Sequence, residues 1–469
     1  MFKQNKNEEY KTGYTNFIYE SEMERIAAIM TKQNERKESF WEDTASLPKF
    51  TPLKQDIKTD VLIIGGGITG ILCAYMLKQA GVDSVLVEAQ TICSGITKNT
   101  TAKITSQHGL IMDKLVKRFG AEKALLYLRA NQAALQQYRE LCADIECDFE
   151  EKPSYTYSLD NPQKIEKELK ALQQLKFPAG FVQQLPLPFP VAGAIRFPNQ
   201  AQFHPLKFIG TIAKNLTIYE NTRVRELAGK KAITSGGAIT ANQIIVATHF
   251  PFINKHGSYF VKMYQHRSYV IALEHAPNIH GMYVDEAEKG LSFRNQNGLL
   301  LIGGGSHRTG KTGGNWEELS RFAARYYPDA KEQYRWATQD CMTLDDVPYI
   351  GQYSKNTPGF YVATGFNKWG MTSAMVAAIL LTDLIQGKEN PYTSLFSPSR
   401  TIIRPQLIVN AAEAAANLAR ISKPRCPHLG CALKWNPAEH SWDCPCHGSR
   451  FNANGRLIDN PATGDCNLK

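Results

Sequence analysis

A glycine-rich turn between two apolar runs constrains the fold of this chain more than any other feature. The first run is of buried-strand type and ends at Ile64, and the spacing G-x-G-x-x-G follows at Gly65, Gly67 and Gly70. A helical pattern comes next, and a second apolar run ends at Glu88. In this arrangement Gly65 makes the tight turn, Gly67 lets the backbone approach a pyrophosphate, and Gly70 lets the helix pack against the strand. Glu88 is placed to bind ribose hydroxyls, so the segment predicts a dinucleotide-binding β-α-β unit rather than a purely structural one.

Two later segments favour FAD over NAD as the dinucleotide. A fingerprint near the N-terminus is typical of FAD domains, which distant parts of the chain complete. Residues 244–248 form an apolar strand that ends in Ala-Thr, and residues 360–365 form another that leads into a helix reaching to about residue 386. A second helix N-terminus of this kind suits the flavin end of the cofactor.

Two boxes of cysteine and histidine near the C-terminus predict a metal centre. They read CPHLGC from Cys426 and CPCHGS from Cys444. Two thiolates and two imidazoles from two loops are the ligand set of a Rieske [2Fe–2S] cluster. The alternative is a Cys₂His₂ structural zinc site, which explains four ligands but leaves a spare cysteine in each box. The predicted metal ligands are Cys426, His428, Cys444 and His447.

Composition excludes several classes of partner. The 469 residues leave room for two or three domains, and the net charge of +10 is modest for this length. No basic run carries interleaved aromatic residues, so nucleic acid is not expected as a partner. The chain has neither an N-terminal apolar segment of signal-peptide type nor 18 uncharged apolar residues in succession, so a cytoplasmic chain without a membrane span is expected. Residues 1–45 are polar and are interpreted as an N-terminal extension.

Residues 58–390 resemble the D-amino-acid oxidase and glycine/sarcosine oxidase superfamily of FAD enzymes. Beyond the fingerprint, the resemblance rests on Ser94-Gly-Ile-Thr, on Thr100-Thr-Ala-Lys and on the segment 343–351. It implies an α/β FAD-binding Rossmann-like domain (GR2-type), assembled from about 58–112, 195–255 and 340–388, with an inserted substrate domain. It also implies that FAD is contacted by Ser94, Thr101, Gly365, Gly370, Met371 and Thr372.

The two boxes, with Gly455 and the Pro461-Ala-Thr segment beyond them, resemble the high-potential Rieske proteins that contain a disulfide bond. The resemblance implies that Cys426 and Cys444 bind the inner iron and that the two histidines bind the outer iron. It further implies a disulfide bond between Cys431 and Cys446, and a Ser449 hydroxyl that hydrogen-bonds cluster sulfur. The order of the two parts resembles a group of bacterial FAD-dependent oxidoreductases that end in a Rieske domain.

The Rieske part departs from that pattern in length. Residues 391–420 are interpreted as a linker with an Ala-rich helix, which leaves residues 421–469, 49 in number, for the module. Fewer than about 70–80 residues rarely supply a sufficient core, and much of the usual base sheet is expected to be absent. Metal ligation and the disulfide would stabilise so small a unit, and packing on the flavin domain would also complete it. The alternative is a damaged module that does not hold iron stably.

The resemblance implies oxidation of an amine or amino acid, with electrons passing from flavin to the cluster and on to a one-electron acceptor. Arg294 is predicted to anchor a substrate carboxylate, with a surface or salt-bridged arginine as the alternative. His307 and Tyr349 are further catalytic candidates. His108 is either a covalent tether for FAD or a hydrogen-bonded structural histidine. The alternative function is a non-enzymatic electron carrier or redox sensor.

Overall fold

The structure is a computed structural model and describes residues 38–253, 257–400, 417 and 424–468. Most of the predicted N-terminal extension and of the linker helix lies outside these residues. The predicted polar extension ends earlier than residue 45. A short helix at Phe40–Asp43 buries Phe40 and Trp41 in the largest hydrophobic core of the described residues, called here the main core. The indole N–H of Trp41 donates to the carbonyl oxygen of Thr100 at 2.8 Å.

Eight strands form the sheet that carries the glycine fingerprint, called here the FAD sheet. Leu62 and Ile63 are fully buried in its central strand, as expected for a parallel strand covered on both faces. The main path, in spatial order, is Tyr349–Gln352, Phe360–Thr364, Ala238–Val246, Ile57–Ile64, Ser84–Val87 and Ile218–Tyr219. Lys231–Thr234 pairs with Ala238–Val246, and Val224–Ala228 pairs with Lys231–Thr234.

Four of these neighbouring pairs are parallel, so the carboxyl ends of their strands meet at one edge. Two long apolar helices, Ile68–Gln79 and Gly370–Ile385, follow two of these strands and pack against each other. Their N-termini therefore open at the edge where open α/β sheets bind ligands.

Nine strands form a second sheet, called here the substrate sheet. Its path is Lys331–Thr343, Met263–Glu274, Leu299–Arg308, Ser292–Gln296, Met282–Asp285, Glu150–Ser158, Gly193–Gln202 and Lys103–Ile104, with Gly180–Val182 beside Gly193–Gln202. Ladder hydrogen bonds place residues 103–104, 195–202 and 340–343 in this sheet. The FAD-binding segments predicted at 58–112, 195–255 and 340–388 are therefore too wide at these points.

The remaining helices surround the two sheets. They are Met112–Cys142, Pro162–Gln174, Pro205–Ile212, Tyr259–Lys262, Trp316–Tyr326 and Thr393–Phe396. Leu395 and Phe396 belong to the main core, so the start of the predicted linker packs on the flavin half. In the part of the chain described, no helix is long and apolar enough to cross a bilayer.

Residues 424–468 form a small lobe, called here the cluster lobe. Its sheet has four short antiparallel strands, Lys434–Asn436, Ser441–Asp443, Arg450–Asn452 and Leu457–Asp459. Its own core holds Phe451, Leu433, Ala462 and the cysteines. A core this small rarely stabilises a lobe by itself. Gln265 and Gln339 of the substrate sheet donate hydrogen bonds to backbone carbonyl oxygens of the lobe, which therefore lies against that sheet.

Candidate functional site

Close backbone contacts leave no room for a side chain at two glycines of the fingerprint. Gly65 has φ +111°, and a Cβ there would lie 2.6 Å from the carbonyl oxygen of Ala247. A Cβ on Gly70 would lie 1.9 Å from the carbonyl oxygen of Gly65. The helix Ile68–Gln79 begins after Gly67, and the Ile68 N–H donates to Thr97 Oγ1 at 2.9 Å. Backbone and helix dipole thus form the anion cradle that a pyrophosphate needs.

Glu88 lies at the end of the second strand, next to this turn. Its carboxylate accepts hydrogen bonds from the N–H of Gly66 at 2.7 Å and of Gln90 at 2.9 Å. Burial raises the pKa of Glu88, whereas these two N–H groups and Arg223 act to lower it. The lone pairs that remain on the carboxylate suit ribose hydroxyls, so the residues present fit the adenosine half of FAD.

A cavity of about 1170 Å³ extends from this turn between the two sheets. Most of the predicted cofactor residues line it, namely Gly65, Gly67, Glu88, Ser94, Thr101, Gly365, Gly370 and Met371. Gly70 lies beneath the turn, where it allows helix and strand to touch. Thr372 holds His108 instead of lining the cavity, because its hydroxyl lies 3.0 Å from His108 Nε2.

His108 lies in the cavity wall with both ring nitrogens engaged. Nδ1 is 2.6 Å from the Tyr127 hydroxyl, and Nε2 is 2.9 Å from the carbonyl oxygen of Thr105. The ring stacks on Trp369 at 4.8 Å, and burial lowers its pKa to about 3. These contacts favour the structural interpretation of His108 over a covalent tether.

Arg294 is fully buried and is absent from the cavity lining. Its guanidinium donates to the carbonyl oxygens of Thr101 at 2.8 Å and Ala102 at 2.7 Å, and also to Gln296 Oε1. Both terminal nitrogens are used by the protein, Nε alone lacks a hydrogen-bond partner among the described residues, and the residue does not line the cavity, so the prediction of a substrate-carboxylate anchor gains no support. Arg294 instead supports the loop that runs along the cavity.

His307 and Tyr349 are also absent from the lining. His307 stacks on Tyr269 at 5.8 Å, and its Nδ1 lies 3.1 Å from the carbonyl oxygen of Gly305. The fully buried ring of Tyr349 lies 4.0 Å from the guanidinium of Arg400. Both side chains pack within the protein, so the prediction that they act on substrate gains no support.

In the described part of the chain, four lysines line the cavity, and two of them, Lys103 and Lys368, have a lowered pKa, although neither is among the residues predicted from the sequence. Lys368 is an exposed residue of the cavity lining and donates to Ser306 Oγ at 2.7 Å. Desolvation lowers the pKa of Lys368, and Asp340 acts to raise it. Desolvation also lowers the pKa of Lys103, to about 7. The sequence position of each lysine points to the cavity, because Lys103 ends the Thr-Thr-Ala-Lys segment and Lys368 precedes the flavin-side helix.

The two boxes of the cluster lobe adopt matching turns. The N–H of Gly430 donates to the carbonyl oxygen of Cys426 at 2.9 Å, and that of Gly448 donates to Cys444 at 3.0 Å. These turns bring the rings of His428 and His447 to 5.0 Å between centroids, at 87° to each other.

The donor set of the lobe fits a Rieske cluster. Cys426 and Cys444 are buried, and a side-chain hydrogen bond from Cys444 lowers the pKa of the Cys426 thiol to about 7. Among the described residues, the buried Nδ1 of His447 has no hydrogen-bond partner, as expected of a ligand atom awaiting a metal. The Ser449 hydroxyl, which accepts a hydrogen bond from the N–H of Ala462 at 2.9 Å, also acts to lower the pKa of Cys426, as expected of a hydroxyl that tunes the cluster.

A disulfide bond joins Cys431 to Cys446, with their Cα atoms 6.7 Å apart. The sulfur atom of Cys444 lies within 4.8 Å of both bridged sulfurs. Because the bridged cysteines have no thiolate to offer, Cys426 and Cys444 are the cysteines of the two boxes that remain as ligands, beside His428 and His447. The disulfide thus connects the two ligand loops beside the metal position.

One ligand loop of the lobe faces the flavin half. His447 is only 3% exposed, and its ring lies 6.0 Å from that of Phe260 and 6.4 Å from that of Phe250. Its carbonyl oxygen accepts a hydrogen bond from Gln265 Nε2 at 2.8 Å. His428 is partly exposed. The two histidine ligands therefore have different surroundings.

A buried ion cluster fastens the lobe to the substrate sheet. Glu439 accepts from Arg267 Nε at 3.0 Å, from Arg450 Nη2 at 2.7 Å and from the Tyr269 hydroxyl at 3.1 Å. Burial opposes ionisation of Glu439, but the two guanidinium groups prevail and lower its pKa to about 2. Residues of the lobe, among them Glu439, Leu457, Asn460 and Thr463, also line the cavity.

The sequence matches two family profiles. The one described as FAD dependent oxidoreductase matches residues 60–384, and the one described as Rieske [2Fe-2S] domain matches residues 400–468. The chain is 37% identical over 493 residues to a protein of Bacillus subtilis (strain 168) named as a Rieske 2Fe-2S iron-sulfur protein, YhfW. That alignment covers 91% of this chain and 96% of the relative.

Solved structures of amino-acid enzymes share the fold of the flavin half. Glycine oxidase from Geobacillus kaustophilus has a TM-score of 0.60 at 20% identity, covering 74% of this chain and all of that one. L-amino acid deaminase from Proteus vulgaris has a TM-score of 0.61 at 16% identity, covering 76% of this chain and 100% of that one. The chain therefore belongs to the FAD-dependent oxidoreductase family, binds FAD, and carries a C-terminal Rieske domain that binds a [2Fe–2S] cluster.

Proposed function

We propose that this oxidoreductase oxidises an amine or amino acid and passes the electrons singly to the [2Fe–2S] cluster of the same chain. One observation carries the proposal: a single cavity is lined by the FAD fingerprint and by the cluster lobe. The burial of His447 against the flavin half supports it further, because a buried ligand loop suits transfer within the molecule better than docking of an outside donor.

The substrate class rests on the cavity and on the fold. The two structural neighbours named above are a glycine oxidase and an L-amino acid deaminase. We propose Lys368 in place of Arg294 as the partner of a substrate carboxylate. Lys368 lines the cavity beside the flavin-side helix, and its ammonium donates a hydrogen bond to the neutral hydroxyl of Ser306.

The proposed reaction balances in electrons and protons. The substrate carbon loses a hydride, its nitrogen loses a proton, and a C=N bond forms. FAD, when bound, supplies the two-electron acceptor for this step, and the cluster supplies a one-electron relay. Both electrons finally leave for an external one-electron carrier, and both protons are released to solvent.

An anaerobic titration of the purified holoprotein tests the proposal. Amines and the D and L enantiomers of amino acids would be added while flavin absorbance and the EPR signal of the reduced cluster are recorded. We expect one substrate class to bleach the flavin and to produce the cluster signal without any second protein. If every amine and amino acid leaves the flavin oxidised while a reductase protein reduces it, the protein is an electron carrier and the proposal is wrong.

A further inference from the structure

His249 is a cavity residue that the glycine fingerprint does not explain. It follows the strand Ala238–Val246 at the open edge of the FAD sheet, in the left-handed region with φ +63°. Its side chain lines the cavity, and its buried Nε2 has no hydrogen-bond partner among the described residues. An unpaired buried nitrogen and a left-handed backbone at a non-glycine residue are both unfavourable, and both are typical of residues that contact a ligand.

Gln265 connects this histidine to the cluster lobe. It is 1% exposed on the strand Met263–Glu274, and its side-chain amide lies near the imidazole of His249, whose pKa it acts to raise against the desolvation that lowers it. Its Nε2 donates to the carbonyl oxygens of His447 at 2.8 Å and Asn460 at 3.2 Å. Its Oε1 accepts from Gln339 Nε2 at 2.6 Å, which fixes the orientation of the amide.

The neighbours of His249 are bonded to the same lobe. Asn460 Nδ2 donates to the carbonyl oxygens of Thr248 at 2.5 Å and Phe250 at 2.7 Å. The ring of Phe250 packs near that of His447. Thr248, His249 and Phe250 are thus held between the cavity on one side and a ligand loop on the other.

We infer that His249 and Gln265 form a bridge between the FAD cavity and the cluster loop that carries His447. Nε2 of His249 hydrogen-bonds FAD bound in the cavity, and the amide of Gln265 holds the His447 loop against the imidazole. The direction of electron flow across this bridge rests on the function proposed above, whereas the contact of His249 with FAD does not.

His249→Asn and Gln265→Met in the FAD- and iron-loaded protein test the bridge. Asparagine tolerates the left-handed backbone but is too short to span the same gap, and methionine keeps the size of glutamine without its N–H donors. Flavin would be reduced by a light flash under anaerobic conditions, and cluster reduction would be followed by freeze-quench EPR. We expect electron transfer from flavin to cluster to slow about tenfold in each variant. Losing a group that supports a metal ligand typically costs about 10- to 100-fold, and this is the lower end of that range. We also expect a changed flavin absorption spectrum in His249→Asn.

His275→Asn is the matched control, since His275 is exposed and also has a left-handed backbone, with φ +58°. Loss of FAD from His249→Asn with an unchanged circular dichroism spectrum would also support the contact. If His249→Asn transfers electrons from flavin to cluster at the wild-type rate and also has the wild-type flavin spectrum, the bridge is wrong. The function proposed above would be unaffected. If the cluster of the wild-type protein stays oxidised while its flavin is reduced, the proposed electron route is wrong. The flavin spectrum of His249→Asn would still show whether His249 contacts FAD.

Discussion

At the scale of single residues, the structure separates residues that shape the cavity from those that face it. Gly70 and Arg294 do not line the cavity, yet one sets the turn and the other supports a loop. Lys368 and His249 do face it, although no recognised motif points to their side chains. A side chain of suitable chemistry is thus a candidate for binding only when its polar atoms are not already used by the protein.

Gly70→Ala should abolish tight FAD binding and destabilise the protein. The added Cβ would lie 1.9 Å from the carbonyl oxygen of Gly65, so the turn must move, and overpacking of this kind costs about 1–3 kcal/mol. FAD content by absorbance and the free energy of unfolding would measure both effects. Gly464→Ala is the control, because a Cβ there meets no atom within 4 Å. Normal FAD content in Gly70→Ala would contradict the packing argument.

Lys368→Met should weaken the reaction of carboxylate-bearing substrates. A charge-assisted hydrogen bond contributes about 1.5–3 kcal/mol, so kcat/KM should fall by about 10- to 100-fold. Steady-state kinetics would compare an amino acid with the amine that lacks its carboxylate, and the amine should be affected less. Lys388→Met, at an exposed position, is the matched control. Equal losses for both substrates would argue against a carboxylate partner.

At the scale of elements, one strand of the substrate sheet carries the lobe. Gln265, Arg267 and Tyr269 are alternate residues of Met263–Glu274, and such residues share one face of a strand. All three bond the cluster lobe, through His447 or Glu439. The strand thus provides the surface that a module of so few residues needs to complete its fold.

Glu439→Gln should loosen the lobe. It leaves Arg267 and Arg450 buried without their shared carboxylate, and breaking a buried pair costs about 3–5 kcal/mol. Chemical unfolding and protease digestion of the lobe would measure the loss. Glu226→Gln, at an exposed position, is the control. An unchanged free energy of unfolding would show that the ion cluster does not hold the lobe.

The same carboxylate gives a pH dependence. The pKa of Glu439 is lowered from its ordinary 4.5 to about 2, so its contribution is complete above about pH 4.5 and is lost as the pH falls toward 2. The difference in the free energy of unfolding between wild type and Glu439→Gln should therefore narrow as the pH is lowered from 6 to 3.5. Unfolding curves at both pH values check the sign, and a widening difference would contradict it.

At the scale of the whole molecule, the cluster lobe is part of the wall of the FAD cavity as well as the site of a metal cluster. Lobe residues line the same space as the fingerprint, and His447 is buried at the contact. Loss of order in the lobe should consequently affect the cluster first and the FAD site less, because the FAD sheet has its own core.

Replacing Cys431 and Cys446 together by serine should selectively destabilise the lobe. The bond closes a segment of 15 residues, for which the chain-entropy estimate is about 3 kcal/mol. Iron content after overnight incubation should fall while FAD content is retained, and both are measured by absorbance and metal analysis. Parallel loss of FAD and iron would show instead that the two halves unfold as one unit.

The sequence by itself determined the FAD turn, the four candidate metal ligands and the order of the two parts. These features depend on spacing within short segments, where backbone geometry leaves few alternatives, as at Gly65 and in the Cys426 turn. Only the tertiary structure decided which polar side chains face the cavity, why Arg294 does not, and how the short lobe is completed on the strand Met263–Glu274. The physical reason is that exposure to a cavity and the use of hydrogen-bond donors depend on residues far apart in the chain, as in Arg267 with Glu439 and His249 with the lobe.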